Sequence, residues 1–478
     1  MLTAIIHAPT IGEVDTISAK AINSAEHGAQ CLEWRLDGLE TIDFDALKQL
    51  REKYTLPLIF TLRSKSEGGS YNGGEELRLK TLKQLASLRP DYIDIEHHVH
   101  NSFLESIKTT YPDIKIIRSS HNFKNTPKNL NSALALIKHP LCDIYKIITT
   151  AQSSLDCLRV LSFVKEHANK TPIVCHAMGA NGAPSRVLGC VFGNKFTYAS
   201  VNNEKLEASL GVLNLITLSK LYRVKSLNHD SSIYALIGSP ISYSIGHVFH
   251  NHGFRQQNKN SVYVKFDVKK NEVKTFLDYA KNLNIKGISI TMPLKETVLP
   301  FVENNDSDIG AVNTLLNTNN RWQVINTDGI AALNCLEGAN PLKGKSVLII
   351  GAGGAAKAIA HEAHMRGLAI SIINRSIDKA KALATPINAN AYALADHKWS
   401  KHKYDAIINT LPPTVTQTMA WEDILKDTSI DKTIVMDISY KPRVGRLLLA
   451  AKKLGLSTVT GRAMFIGQAQ LQQKFWQA

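Results

Sequence analysis

Between residues 3 and 200 the chain carries eight short runs of apolar and β-branched residues. They are TAIIHA (3–8), CLEWRLD (31–37), PLIFTLR (57–63), YIDIEH (92–97), IKIIRSSH (114–121), IYKII (144–148), PIVCHAMG (172–179) and FTYAS (196–200). Each has strand length, and stretches with helical spacing, such as FDALKQLREKY and NSALALIKH, separate most of them. Strand alternating with helix predicts parallel pairing, and eight such units in about 220 residues predict a (β/α)8 barrel. Several runs end in polar residues: Glu33 and Arg35, Arg63, Glu96, His121 and Lys146. In such a barrel the C-terminal strand ends converge on one mouth, so these side chains read as one pocket.

The pattern then changes. Residues 222–232 (YRVKSLNHDSS) are polar and non-periodic and read as a connection, with the linker set at 225–232. A second α/β region starts at IYALIGSP. At 341–367 an apolar strand runs into Gly351, Gly353, Gly354 and Ala355 and on into an alanine-rich helix, and a second strand, ISIINRS, follows. That is the context of a dinucleotide-binding fold, in which glycines let a pyrophosphate approach the amides of a helix N-terminus. After the second strand an NAD site offers an acid to the ribose. Here stand Asn374, Arg375, Ser376 and Lys379, whose cations suit a 2′-phosphate, so NADP is favoured. The resulting division is a barrel over 1–224, the linker, a substrate-binding domain over 233–332, a Rossmann nucleotide domain over 333–445, and C-terminal helices over 446–478 that return to the substrate domain.

Composition narrows the partners. The chain has 478 residues, more than one ordinary core holds, with 44% hydrophobic and 20% charged residues, as in soluble globular proteins. No apolar run approaches the ~20 residues that span a bilayer. Glu13 and Asp15 come early, against a secretory or transit leader, so a cytoplasmic protein is expected. The six cysteines form no CxxC pair and no zinc spacing, so no metal is expected. The net charge of +15 is dispersed; it suits small anionic substrates better than nucleic acid.

The first half resembles type I 3-dehydroquinate dehydratase. EWRLD (33–37), FTLRSKSEGG (60–69), DYIDIE (91–96), SSHNF (119–123), TP (126–127), DIYKI (143–147) and MGANGAPSR (178–186) occur in that family's order. The resemblance implies Lys146 as the Schiff-base lysine and His121 as the acid/base. It also implies Glu67 as the carboxylate that orients His121, with Glu33, Arg35, Arg63 and Arg186 as the substrate clamp. The chemistry agrees. Losing water from a β-hydroxy ketone needs a proton removed beside the carbonyl, and an iminium draws in that electron density better than a ketone does. One departure is Ala208, Ser209, Leu210, Gly211 and Val212, where the family reads Ser-Ala-Pro-Gly-Gln. Two polar substrate contacts are lost there.

The second half resembles shikimate dehydrogenase through GISITMPLKE (287–296), IGAVNT (309–314), NTDG (326–329), GAGGAAKA (351–358), NRS (374–376), DISYKP (437–442) and GRAMFIGQAQLQQKFW (461–476). The implied catalytic pair is Lys295 and Asp328. Ser244, Thr291, Asn313, Tyr440 and Gln468 are the implied substrate contacts, and Gly461 and Met464 the implied neighbours of the nicotinamide. Where the family reads His-Ser-x-Ser-Pro, this chain has Tyr243, Ser244, Ile245, Gly246 and His247, which opens space beside the carboxylate. Together the two halves imply a bifunctional enzyme that dehydrates 3-dehydroquinate to 3-dehydroshikimate and reduces that to shikimate with NADPH. Two alternatives stand beside it: substantial action on quinate, and an inactive regulatory homologue. The four intact catalytic residues argue against the second.

Overall fold

The computed structural model describes residues 1–23, 27–201, 211–302, 309–338, 341–396 and 398–477. They form two compact units, residues 1–233 with 251–268 and 275–284, and residues 234–250 with 269–274 and 285–478.

The first unit contains the expected barrel. Its strands are β1 (Leu2–His7), β2 (Cys31–Arg35), β3 (Leu58–Thr61), β4 (Tyr92–Glu96), β5 (Lys115–His121), β6 (Ile144–Thr150), β7 (Ile173–Met178) and β8 (Thr197–Ser200). They pair in parallel in the order β7-β6-β5-β4-β3-β2-β1-β8. At the seam between β7 and β8, the Asn194 amide donates to Cys175 O and accepts from Cys175 N, both at 2.9 Å, standing in for a backbone pair. The strands are buried along most of their length, as parallel strands covered on both faces must be.

Period two then builds the site. Cys31, Ile59, Tyr92, Ile117, Ile144, Val174 and Tyr198, one from each of seven strands, share an apolar cluster with Phe196, against which Ile5 packs. Two residues further along the same strands, on the same face, stand Glu33, Thr61, Asp94, Ser119, Lys146, His176 and Ser200. The apolar layer is the floor and the polar layer is the mouth.

Beyond the barrel, β9 (Ser232–Gly238), β10 (Ser261–Asp267), β11 (Ile285–Ile290), β12 (Thr314–Thr318) and β13 (Arg321–Ile325) form a sheet in the order β10-β9-β11-β12-β13. β11–β12 and β12–β13 are antiparallel. A third sheet holds β14 (Ser346–Ile350), β15 (Ala369–Asn374), β16 (Asn390–Ala393), β17 (Tyr404–Asn409), β18 (Ser429–Asp437) and β19 (Ser457–Thr460). Its order, β16-β15-β14-β17-β18-β19, reverses direction at β14, the switch point where doubly wound sheets bind ligands.

Two expected boundaries change. The break at 332/333 falls inside the helix Asp328–Glu337. The segment 446–478 does not all return to the substrate domain. The helix Arg446–Lys453 packs on β18, and β19 is the sixth strand of the nucleotide sheet, so that sheet runs to Thr460. The helix Gly461–Gln477 packs on β11 and β12. The linker is ordered as turns, tied by Asn228 and Ser231 to Asn260. No described helix is long and apolar enough to cross a membrane.

Candidate active sites

In the barrel mouth, Lys146 Nζ lies 3.1 Å from both Glu33 Oε1 and Asp94 Oδ2. Arg63 pairs with Asp94 at 2.8 Å and donates to Ser119 Oγ at 2.8 Å, and Ser119 donates to Asp94 Oδ1 at 2.5 Å. Thr61 completes the ring on Glu33. The network spans β2 to β6, and all of it is buried. Burial alone would raise the Asp94 carboxyl, but Arg63 and then Lys146 outweigh it and hold it well below its usual value. The Tyr198 ring lies under Lys146, 4.3 Å from Nζ to its centroid.

His121, at the end of β5, adjoins this ring. Glu67 Oε2 accepts from His121 N at 2.8 Å and lies 2.9 Å from His121 Nδ1. With Nδ1–H donating to that oxygen, Nε2 keeps its lone pair for a proton. Burial, then Arg63 and Lys146, hold the imidazole well below its ordinary pKa. Burial likewise pushes Glu67 up to about 7. Phe123 stacks on His121 with its ring against Gly68, where a Cβ would come within 2.4 Å of it at φ +77, so the turn after Glu67 needs glycine.

The remaining clamp residues stand apart. Arg35 is held by Asp37 in a bidentate pair at 2.8–2.9 Å, and its charge is felt by Glu33 and Arg63. Arg186, at the start of the helix Pro184–Phe192, is buried and donates from Nε to Gly211 O. Ala208, Ser209 and Leu210 lie outside the described residues. Val212 is half-buried just beyond Gly211. The sequence reading did not single out Asp94 or Ser119. The signal was there: both share the inward phase of Glu33 and Lys146.

In the second unit, Lys295 Nζ pairs with Asp328 Oδ2 at the first turn of the helix Asp328–Glu337. Asn313 Nδ2 donates to Asp328 Oδ1 and Thr327 Oγ1, both at 2.9 Å, and lies 3.4 Å from Gln468 Oε1. Four of the expected residues therefore meet at one point. Ser244 and Tyr440 hydrogen-bond through their side chains, and Ser244 Oγ accepts from Gly246 N at 3.2 Å where the helix Gly246–Gln256 begins. Thr291 follows β11, its amide donating to Ile237 O.

A cavity of about 700 Å³ opens at the end of β14. Gly351, Gly353, Asn374, Arg375, Ser376 and Lys379 line it as expected, with Lys357, His361 and Thr410 in addition. Gly351 has φ +116, and a Cβ there would meet Thr410 Oγ1 at 2.3 Å, whereas a Cβ at Gly353 would meet nothing within 4 Å. Gly354 and Ala355 do not line the cavity; Gly354 gives passage to the Lys295 side chain, whose carbons lie 3.0–3.2 Å from a Cβ built there. Gly461 and Met464 are also off its walls. Gly461 abuts Ile438 O, and Met464 is packed in the core of the nucleotide sheet.

Comparison with known proteins finds a family match for each half of the chain. Residues 7–229 match the family model for type I 3-dehydroquinase. Residues 236–315 match that for the shikimate dehydrogenase substrate binding domain, and 335–447 that for shikimate / quinate 5-dehydrogenase. The chloroplastic bifunctional 3-dehydroquinate dehydratase/shikimate dehydrogenase of Arabidopsis thaliana is 34% identical, over 98% of this chain and 81% of its own length. The shikimate biosynthesis protein AroDE of Chlamydia pneumoniae is 33% identical over 100% and 95%. The shikimate dehydrogenase (NADP(+)) of Thermococcus kodakarensis is 36% identical over 52% of this chain and 91% of its own. Matched over 98% of its length by a relative whose name carries both activities, the chain belongs to the family of bifunctional 3-dehydroquinate dehydratase/shikimate dehydrogenases.

Proposed function

We propose that the barrel dehydrates 3-dehydroquinate through an imine on Lys146, and that the second unit reduces the resulting 3-dehydroshikimate to shikimate with NADPH. The observation that carries the first step is the buried contact of Lys146 with Glu33 and Asp94, beside the Glu67–His121 pair. The Lys146 ammonium passes its proton to a neighbouring carboxylate, and the freed amine adds to the ketone carbon. Loss of the carbonyl oxygen as water leaves an iminium, whose charge Glu33, Asp94 and the face of Tyr198 stabilise. His121 Nε2 takes the proton beside the iminium carbon. The electron pair moves toward nitrogen and then expels the β-hydroxyl, which leaves as water with the proton His121 held. Water then hydrolyses the imine and frees Lys146. The balance is one water lost per substrate. Arg35, Arg63 and Arg186 are the cations for the substrate carboxylate.

In the second unit Lys295 and Asp328 hold the proton that the substrate oxygen gains or loses. Asn313 fixes Asp328, and Thr291, Gln468, Ser244 and Tyr440 position the ring and carboxylate. The cavity residues fit a dinucleotide: Gly353, where a Cβ would meet nothing within 4 Å, leaves room for a pyrophosphate, and Arg375 and Lys379, with Asn374 and Ser376, suit a 2′-phosphate. NADP supplies the hydride when bound. The cysteines are all free, in keeping with a reducing compartment such as the cytoplasm.

The test of the lysine is borohydride reduction in the presence of 3-dehydroquinate. The reading predicts a covalent adduct mapped to Lys146. No adduct, or an adduct on another lysine, refutes it.

A further inference from the structure

The barrel mouth holds a second cluster of ligand-capable groups. His97 and His98 form the turn after β4, and Glu67 faces them. One metal-ligating atom from each of the three lies within 4.8 Å of the other two. Glu67 Oε1 is 3.4 Å from His97 Nδ1, yet that nitrogen is buried and makes no hydrogen bond. Two ligand-capable atoms 3.4 Å apart that do not hydrogen-bond to each other can share a third partner. Zinc bonds of about 2.0–2.1 Å place neighbouring tetrahedral ligands roughly 3.3–3.4 Å apart, which is this spacing.

The surroundings fit the same use. His121 occupies Glu67 Oε2, which leaves Oε1 for another partner. Arg118 donates to the carbonyls of His97 and Val99, each at 2.7 Å, and so fixes the turn. Glu75 Oε1 lies 3.5 Å from His98 Nε2 and is itself gripped by Arg78. A carboxylate against an imidazole is the usual support of a ligating histidine.

We propose that Glu67, His97 and His98 bind a divalent cation of the zinc class, with water completing its shell, and that the bound ion slows dehydration. The cation draws electron density from Glu67, so the carboxylate stabilises a protonated His121 less well and the imidazole becomes a weaker base. The inhibitory half rests on the role of Glu67 proposed above; the binding half does not.

The test uses the full-length, untagged chain freed of metal by a chelator. Zn2+ binding is followed by calorimetry and Co2+ binding by visible absorption, and both activities are measured in the same samples. The expected result is Zn2+ binding with the intense visible bands of tetrahedral Co2+. The dehydratase rate should drop by about tenfold or more, the shikimate oxidation rate should hold, and chelator should restore the loss. His98→Ala should bind Zn2+ about 10–100-fold more weakly, with its metal-free dehydratase rate unchanged. Absence of binding, equal binding by His98→Ala, or parallel loss of both activities overturns the proposal. A metal-free chain that never dehydrates 3-dehydroquinate would refute the reading of the barrel site instead, and the calorimetry would still decide the metal site.

Discussion

Lys146 stands within a strand, with carboxylates from two other strands on its ammonium, and its side chain is 5% exposed. Lys295 stands in the segment after β11, meets one carboxylate at the start of a helix, and is 18% exposed. The first lysine belongs to a ring of alternating charges, Glu33–Lys146–Asp94–Arg63, closed at its ends by the hydroxyls of Thr61 and Ser119. The second belongs to a short chain, Lys295–Asp328–Asn313, beside an open cavity. The difference follows from what each lysine is asked to do. A lysine that becomes an imine needs counter-charges fixed around one nitrogen. A lysine that only moves a proton needs one partner and access to substrate. It also predicts unequal fragility, because removing one member of a buried ion network leaves the others uncompensated, at about 3–5 kcal/mol, whereas a partly exposed pair costs far less.

Lys146→Ala breaks the comparison most sharply. Dehydration should fall to the limit of detection while shikimate oxidation persists, measured on the same preparation. The barrel should also melt earlier, since Glu33 and Asp94 lose their shared cation. Loss of both activities in a chain that remains folded would contradict the separation of the two sites.

Glu67→Gln comes next. As a carboxylate Glu67 stabilises protonated His121, and burial raises it to about 7, so dehydratase kcat/KM should rise with pH through about 7 in the unmodified chain. The variant should lose roughly 100-fold or more and lose that acid limb with it. For stability the sign is opposite. A carboxyl whose folded pKa is raised favours the fold at low pH, and its contribution is lost as pH rises toward 7. An acid limb that survives in the variant would assign it to another group.

Arg375→Ala sharpens the second region. Arg375 is exposed on the cavity wall, and losing a hydrogen bond to a charged phosphate should weaken NADP by about 1.5–3 kcal/mol while NAD changes little. Calorimetric titration with both cofactors checks this, and equal loss for the two would remove Arg375 from the 2′-phosphate site.

The smallest effect is expected at Gly246. It is buried at the head of its helix, with its amide on Ser244 Oγ, so a serine there adds a hydroxyl beside the Ser244–Tyr440 pair. Gly246→Ser should lower the ratio of quinate to shikimate kcat/KM, since quinate carries an extra hydroxyl at the carbon bearing the carboxylate. An unchanged ratio would show that the glycine does not set selectivity.

The eight barrel strands were legible because parallel strands buried on both faces read as continuous apolar runs. Lys146, His121 and Glu33 were legible because a charge inside such a run demands a reason. Asp94 and Ser119 carry the same signal, but Asp94 reads as part of YIDIE and a serine marks nothing by itself. Their importance comes from register across strands, which spacing along one strand does not display. The sixth strand of the nucleotide sheet was missed because STVT is short and sits between two helices. Gly354 lies off the cavity wall and against Lys295, a placement that a glycine signature alone does not display. The placement of Met464 in the core, away from the cavity, is likewise a matter of tertiary packing.

The central claim is that one chain carries out two consecutive reactions at two sites. The most direct measurement is to incubate the purified protein with 3-dehydroquinate and NADPH, following nicotinamide absorbance while identifying the products. The account predicts shikimate as the product, with one NADPH oxidised for each 3-dehydroquinate consumed. Accumulation of 3-dehydroshikimate with no NADPH oxidised, or no consumption of 3-dehydroquinate, would contradict it.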